Sequence, residues 1–441
     1  RSDAGTVRGK LTPVYVLAGL FLILSPLSMA TGLESSQAAK YLRLLTTLLI
    51  VLVGLASSRS LRFGTASKAM LAFAAVWVAS ATWSDLPHWA LFYKGAFALT
   101  LVSGIMLGAT PRRLVDVEQG LRFLAFVSLL ASLVVVLAYV RDPSSAMRLE
   151  RLAVWGINAN LIAQTAAPLS VFCVFLAVND RRRLWKSLAV IALALLLIVM
   201  LLTGSRGGVA MAFVGAGLVL IPYGKRPAVL IVSLGFVIAI GYVALEFLAQ
   251  SDSVRLFDEL TKNTRSGVWH YAFHKFESSP LIGHGWLHHG SSWSSVQGAF
   301  PQVLAEAGSL GATVLLITVL TILSRWYSVN SRLKRRSDIS QYTYLSAALI
   351  ISPLVHGMAE SSTVMGTSLN PLLLGMGVSL LDHLPSLAQE ASPNRGRQRE
   401  RMIAAITARQ QSNRPPATVV GHNGSSFVVA QTSDRTNRPR T

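Results

Sequence analysis

SLAVIALALLLIVMLLTGSRGGVAMAFVGAGLVLIP, residues 187–222, consists of two long apolar runs joined by a glycine turn that carries one arginine. Each run approaches the roughly 20 residues that a helix needs to cross hydrocarbon. Two spans and a turn need about 40 residues, and this stretch has 36. The turn is therefore expected to dip to headgroup depth and to take Arg206 with it. An arginine at the bilayer centre costs roughly 2.5–3.5 kcal/mol, and less near the interface. Two explanations stand. Arg206 snorkels and merely sets the depth of its helix, or it belongs to an anion site. In the second, Gly204, Gly207 and Gly208 admit close backbone approach, and the next helix presents N–H groups at its start. A guanidinium there suits a phosphate bidentately. The anion at that depth is a lipid phosphate or diphosphate.

The rest of the 441-residue chain agrees with a membrane setting: 52% of it is hydrophobic and 14% charged, against about a quarter charged in soluble domains. The fold class is an all-α polytopic membrane protein. About twelve spanning segments follow from run length, near 12–30, 41–57, 67–84, 89–109, 121–140, 158–178, 187–203, 207–222, 227–248, 298–324, 341–358 and 364–384. The connecting loops alternate in charge. SRSLRFG at 58–64, PRRL at 111–114, DRRRLWK at 180–186, GKR at 224–226 and SRLKRRSD at 331–338 are basic. TGLESSQ at 31–37, SDLPH at 84–88, RDPSSAMRLER at 141–151 and the stretch 251–297 are not. Under the positive-inside rule this alternation puts both termini in the cytoplasm, and the TGSRGG turn and the 251–297 loop outside.

Two units are expected: a membrane domain over 1–390 with the external loop 251–297, and a tail over 391–441. The tail has nine arginines against two acids among scattered Pro, Asn and Ser. It reads as a disordered cytoplasmic segment drawn to anionic lipid. The net charge of +20 lies mostly there and in the short loops, so membrane lipids and not nucleic acid are the expected partners. Cys173 lies inside a run, which leaves no disulfide framework. The first apolar run has no small-residue processing site with a soluble domain after it, so no cleavable leader is expected.

The external loop is expected to form one or two amphipathic helices, with Val254, Leu256, Phe257 and Leu260 at helical spacing. Five of the nine histidines fall there: His270, His274, His284, His288 and His289. His270 and His274 are one helical turn apart, but no glutamate lies between them and no carboxylate cluster follows. They read as packed or interfacial histidines, and no metal is expected. In GWLHHGSSWSS, His288 and His289 either present a general base to an acceptor or are surface histidines of a polar loop. His356 and Glu360 stand near the outer end of a span, either facing the same site or acting as a helix-end histidine and an N-cap.

Four motifs together resemble the O-antigen ligase and O-antigen polymerase superfamily of bacterial membrane glycosyltransferases. GINAN at 156–160 is similar to that family's glycine-x-x-x-asparagine opening of a span, and TGSRGG to its arginine turn. TRSGVWHYAFHKFESSPLIGHG at 264–285 follows its arginine, tryptophan, proline–glycine–x–glycine order. QGAFPQVLAEAGSLG at 297–311 resembles its histidine-led start of the next span, with Glu306 and Gly308 in register. The likeness covers residues 150–325.

The resemblance implies a GT-C-like, cofactor-free and metal-independent inverting glycosyltransferase on the outer face of the bacterial cytoplasmic membrane. Its donor is a glycan on undecaprenyl diphosphate and its acceptor a sugar or lipid-linked hydroxyl, with other polysaccharide-assembly proteins as further partners. Arg206 and Arg265 bind the diphosphate; Asn160, His284 and Glu306 are further site candidates. One position departs from the pattern: Gln297 stands where the family has histidine, and an amide cannot act as a base near neutral pH. His289 or His288 is the expected substitute. Because ligases keep that histidine most regularly, a polymerase of an exported polysaccharide is the preferred reading and an O-antigen ligase the next. A lipid-linked sugar flippase and a non-catalytic assembly scaffold are the rivals from other classes.

Overall fold

Lipid offers no partner to a backbone N–H or C=O, so an apolar run in a membrane must satisfy its own ladder, and the helix does this locally. A computed structural model describes residues 11–28, 36–57, 63–148, 151–223, 266–286, 298–334, 336–359, 368–390, 419–420 and 426–427. Its helices are α1 (Pro13–Leu27), α2 (Ser36–Ser57), α3 (Thr65–Ala79), α4 (Pro87–Ala109), α5 (Leu114–Arg141), α6 (Ala159–Asn179), α7 (Arg183–Thr203), α8 (Arg206–Leu220), α9 (Ser266–Ser278), α10 (Ala299–Leu333), α11 (Ser337–Ala359) and α12 (Leu369–Glu390). A 3-10 turn extends α3 to Trp83.

Among the described residues eight helices are long and apolar enough to cross a membrane: α2, extended α3, α4, α5, α6, α7, α10 and α12. The apolar α1 and α8 are shorter. The run at 227–248 lies outside the described residues, as do 251–265 and 287–297 of the large loop, Val254, Leu256, Phe257 and Leu260 among them. The chain is thus all-α and polytopic in character, with eight candidate spans among the described residues where the run-length reading expects about twelve in the whole chain.

One expectation is corrected. Helix α7 starts at Arg183, ahead of the apolar run at 187, and reaches 21 residues. Its first turn, RLWK, is basic, and long cationic side chains keep their stems on apolar surface while their heads reach water. The shortage of residues that argued for a dipping turn therefore rests on α8 alone, with 15.

The helices pack closely where side chains are missing. An added Cβ on Gly104 would lie 1.9 Å from the Leu372 carbonyl oxygen, and one on Gly108 2.5 Å from that of Met376. From the other side, a Cβ on Gly375 would lie 2.3 Å from the Leu101 carbonyl oxygen. Small residues let the α4 and α12 backbones touch, which is how helices gain contact where lipid tails are as apolar as leucine. With α6, α12 forms the centre of the bundle, buried on most of its circumference.

Paired charges stitch the end of the bundle where α3 begins. Arg122 of α5 holds the Asp180 carboxylate through Nε at 2.5 Å and Nη2 at 3.0 Å. Asp382 of α12 accepts from the Ser67 N–H at 2.8 Å and from Arg325 Nε at 3.2 Å, so it caps α3 and anchors α10 together. At the opposite end lie the links α3–α4, α5–α6 and α7–α8.

The α5–α6 link contains an antiparallel pair, Met147–Arg148 with Arg151–Leu152. The chain divides at Ala388 into two units. In the second, described residues form one antiparallel pair, Val419–Val420 with Ser426–Phe427, and the rest of the expected disordered tail lies outside them.

Gly104→Val forces a branched side chain against the α12 backbone. It is expected to lower the thermal midpoint of the detergent-solubilised chain, with a cost of about 1–3 kcal/mol from overpacking. Gly95→Ala, where an added Cβ meets nothing within 4 Å, is expected to leave the midpoint in place. Equal effects of the two substitutions would refute the close-packing account.

Candidate functional site

The described parts of the four motifs form two clusters, both at the end that carries the α3–α4, α5–α6 and α7–α8 links. The first is the TGSRGG turn. Helix α7 ends on Gly204, whose φ of 59° is the left-handed cap that glycine adopts without strain. Ser205 caps α8, its hydroxyl accepting from the Gly208 N–H at 3.4 Å. Arg206 is the first residue of α8, and its side chain lies outside the described residues.

The two glycines that follow have a packing task. A Cβ on Gly207 would lie 3.2 Å from Cδ2 of His356, a buried residue of α11. A Cβ on Gly208 would meet the Ala163 side chain of α6 at 2.6 Å. The close approach that these two glycines allow is to neighbouring helices, α11 and α6.

An arginine that the sequence reading passes over holds this turn. Arg151 donates from Nε to the Thr203 carbonyl at 2.8 Å and from Nη2 to Asn160 Oδ1 at 2.7 Å. One half-buried guanidinium therefore ties the end of α7 to the start of α6. Its place is set locally. Asp142 caps a one-turn helix, accepting from the Ser144 hydroxyl at 2.6 Å and the Ser145 N–H at 3.1 Å. Those bonds, the Ser144 hydroxyl first, pull its carboxyl down to about 2. The short strand pair then turns the chain back, and Trp155, at φ 55°, bends it towards Asn158, which caps α6 through the Asn160 N–H at 2.9 Å. A non-glycine residue in that region is strained and marks a backbone held by its surroundings. One turn further into α6, Gln164 donates to the Ser368 hydroxyl at 3.3 Å.

The second cluster joins the other two motifs. Gly308 breaks α10 with φ 62° and ψ −162°. The segment PLIGHG lies across the break and bonds to it through its backbone. The N–H groups of His284 and Gly285 donate to the Ala305 and Glu306 carbonyls at 2.9 and 2.8 Å. Those of Ser309 and Leu310 donate to Pro280 and Leu281 at 2.8 and 3.1 Å. Only glycine fits at the crossings. A Cβ on Gly283 would lie 2.5 Å from the Glu306 backbone, and one on Gly308 2.4 Å from the Leu281 oxygen. The clamp continues to the α3–α4 link, where Trp83 Nε1 donates to the Ile282 carbonyl at 2.9 Å and Trp286 stacks on Tyr93 at 5.4 Å.

Beneath the clamp is a buried ion pair. Lys94 Nζ of α4 lies 3.1 Å from Glu306 Oε2. Gln302 Nε2 donates to Glu306 Oε1 at 2.8 Å. Lys94 also donates to the Ser80 hydroxyl and lies 3.9 Å over the Trp77 ring.

The sequence candidates divide accordingly. Asn160 and Glu306 are each tied to a cation, Arg151 and Lys94. His284 is half-buried, its Nε2 2.8 Å from the Ser278 hydroxyl and 2.9 Å from the Lys275 carbonyl, so it fastens the end of α9. His270 and His274 are exposed on α9. Arg265, His288, His289, Gln297 and Glu360 lie outside the described residues. Sequence reasoning missed Arg151, Lys94 and Gln302. Their signals were a cation nine residues before Asn160 and a lone cation inside the apolar run 89–109.

Residues 191–316 match the family model described as O-antigen ligase. That stretch holds the turn, the clamp and Glu306. No curated protein matches the chain.

Arg151→Ala removes the charged donor that the Thr203 carbonyl and Asn160 share, at about 1–3 kcal/mol for lost hydrogen bonds to a charged group. Hydrogen exchange is expected to speed up over residues 200–210 while α12 keeps its protection. Arg151→Lys, which lacks the planar fork, is expected to restore only part of it. Unchanged exchange in the alanine variant would show that the guanidinium does not hold the turn.

Proposed function

We propose that the chain, whose residues 191–316 match the family model described as O-antigen ligase, works as a glycosyltransferase of the O-antigen ligase and polymerase superfamily and polymerises an exported bacterial polysaccharide. The donor in this reading is a glycan on undecaprenyl diphosphate, presented at the outer face of the cytoplasmic membrane. An acceptor sugar hydroxyl attacks the anomeric carbon with inversion, its proton passes to His289 or His288, and the bond to the diphosphate breaks. Arg206 and Arg265 bind the departing diphosphate and offset its growing charge, the kind of work preorganised cations do well in a dry site. No metal takes part.

The observation that carries the reading is that motifs far apart in the chain meet in pairs. Arg151 joins the Asn160 opening to the arginine turn, and the PLIGHG clamp closes on the helix of Glu306 and Gly308. A merely compositional likeness gives no reason for those contacts. The second reading, an O-antigen ligase that transfers the finished glycan to a lipid core, is favoured by the description of the matching family. Gln297 in place of the ligase histidine tips the choice to the polymerase.

The test is Arg206→Ala and Arg265→Ala in cells whose only copy is the variant, scored for polymer length and for lipid-linked repeat units. Each substitution is expected to cut polymer at least tenfold, in line with losing a preorganised charge in a site of this kind, while single repeat units accumulate on the lipid carrier. Full-length polymer left on the carrier would mark the ligase. Normal polymer in both variants would falsify the enzyme reading, and repeat units trapped on the inner leaflet would turn it into a flippase.

A further inference from the structure

Lys94 and Glu306 are 2% and 1% exposed at their side chains, inside helices α4 and α10. Ionisable groups in a membrane interior are costly, and their usual justification is a functional one. Stability alone is a poor reason for this pair. Apolar residues of like volume often replace a buried ion pair with no loss or even a gain, whereas removing one partner is severe. The kink at Gly308 is moreover already held from above by four backbone bonds to residues 280–285.

What the pair adds is orientation. A carboxylate only accepts hydrogen bonds, so Glu306 obliges the Gln302 amide to present its nitrogen, which it does at 2.8 Å. Lys94 divides its donors between Glu306 and the Ser80 hydroxyl and lies on the Trp77 ring. Ser80 belongs to the turn that ends α3, Lys94 to α4, and Gln302 and Glu306 to the same face of α10, one turn apart. The network therefore fixes the part of α10 between Gly298 and the kink, in rotation and in height, against two other helices. That part directly follows Gln297, where the resemblance sets the residue that faces the acceptor.

We propose that Lys94 is a positioning residue for glycan transfer: through Glu306 and Gln302 it holds the first two turns of α10 in the register that aligns the acceptor hydroxyl with the donor. The proposal rests on the glycosyltransferase reading. It predicts a device for orientation whose charges can be removed together without unfolding the chain.

The test uses the full chain in proteoliposomes with lipid-linked repeat units extracted from cells lacking it, their polymerisation followed by gel. Lys94→Met/Glu306→Gln removes both charges and keeps volume and the amide bond to residue 302. Its thermal midpoint and its KM for the lipid-linked units are expected to match the unaltered chain, while kcat falls at least tenfold. Lys94→Met alone, which leaves the buried Glu306 carboxylate without its cation, is expected to lower the midpoint as well. A double variant with unchanged kcat would overturn the positioning role, and so would one whose kcat falls only together with its midpoint. If the unaltered chain forms no polymer from these units, the enzymatic reading fails first and takes this one with it. A fully active unaltered chain beside a fully active double variant removes the positioning role alone.

Discussion

The break in α10 at Gly308 is the constraint on which the loop end of the bundle depends. A helix interrupted near hydrocarbon exposes carbonyls before the break and N–H groups after it, and lipid can answer neither. Here the carbonyls of Ala305 and Glu306 and the amides of Ser309 and Leu310 find all their partners in the backbone of residues 280–285. The requirement explains the sequence. Two strands of backbone cannot approach this closely with side chains between them, so Gly283 and Gly308 stand at the crossings. Both take positive φ, 70° and 62°, which L side chains resist. A glycine motif that might pass for flexibility is thus the condition for a rigid joint.

The joint has a consequence for α9 and the aromatic residues around it. Because PLIGHG is bonded to α10, the end of α9 is fixed to the bundle, and His284 secures it to Lys275 and Ser278. Trp83, Tyr93 and Trp286 pack over the outer side of the clamp, where aromatic side chains with one polar handle are at home between lipid and water. The same economy rules the first cluster. Gly204 turns the chain, Gly207 and Gly208 bring α8 against α11 and α6, and Arg151 closes the seam with two directed bonds.

Apolar run length made the helices legible, since a span is a local property of composition. It was weaker at boundaries: α7 extends into the basic RLWK turn because cationic side chains snorkel, which a count of apolar residues misses. The glycines of the TGSRGG turn were recognisable as special, but their reason was not, because His356 and Ala163 lie far off in sequence. Arg151 and Lys94 were hidden for the same cause. Each looked like a loop cation or a stray charge until tertiary packing set Asn160 and Thr203 beside the one and Glu306 beside the other. The Gly104-x-x-x-Gly108 spacing, which a count of apolar residues also passes over, is of the kind that lets helices approach closely, and α12 is the helix it receives.

The distribution of polarity bears on what kind of protein this is. A carrier needs a polar route from face to face, commonly through broken helices near the midplane. Along this bundle several buried hydroxyls are spent on carbonyls, Ser103 on Thr47, Thr318 on Ala69, Ser346 on Gly377 and Ser352 on Ala348, and one cation, Arg43 of α2, is buried as well. Ion pairs appear towards the ends instead. At one end Arg122 with Asp180 and Arg325 with Asp382 tie helices to each other and leave their carboxylates fully engaged. At the other, the Lys94–Glu306 pair lies beneath the clamp, and Arg151, hydrogen-bonded to the neutral Asn160, lies beside the α7–α8 turn. At both ends the described charges are spent on joining helix to helix.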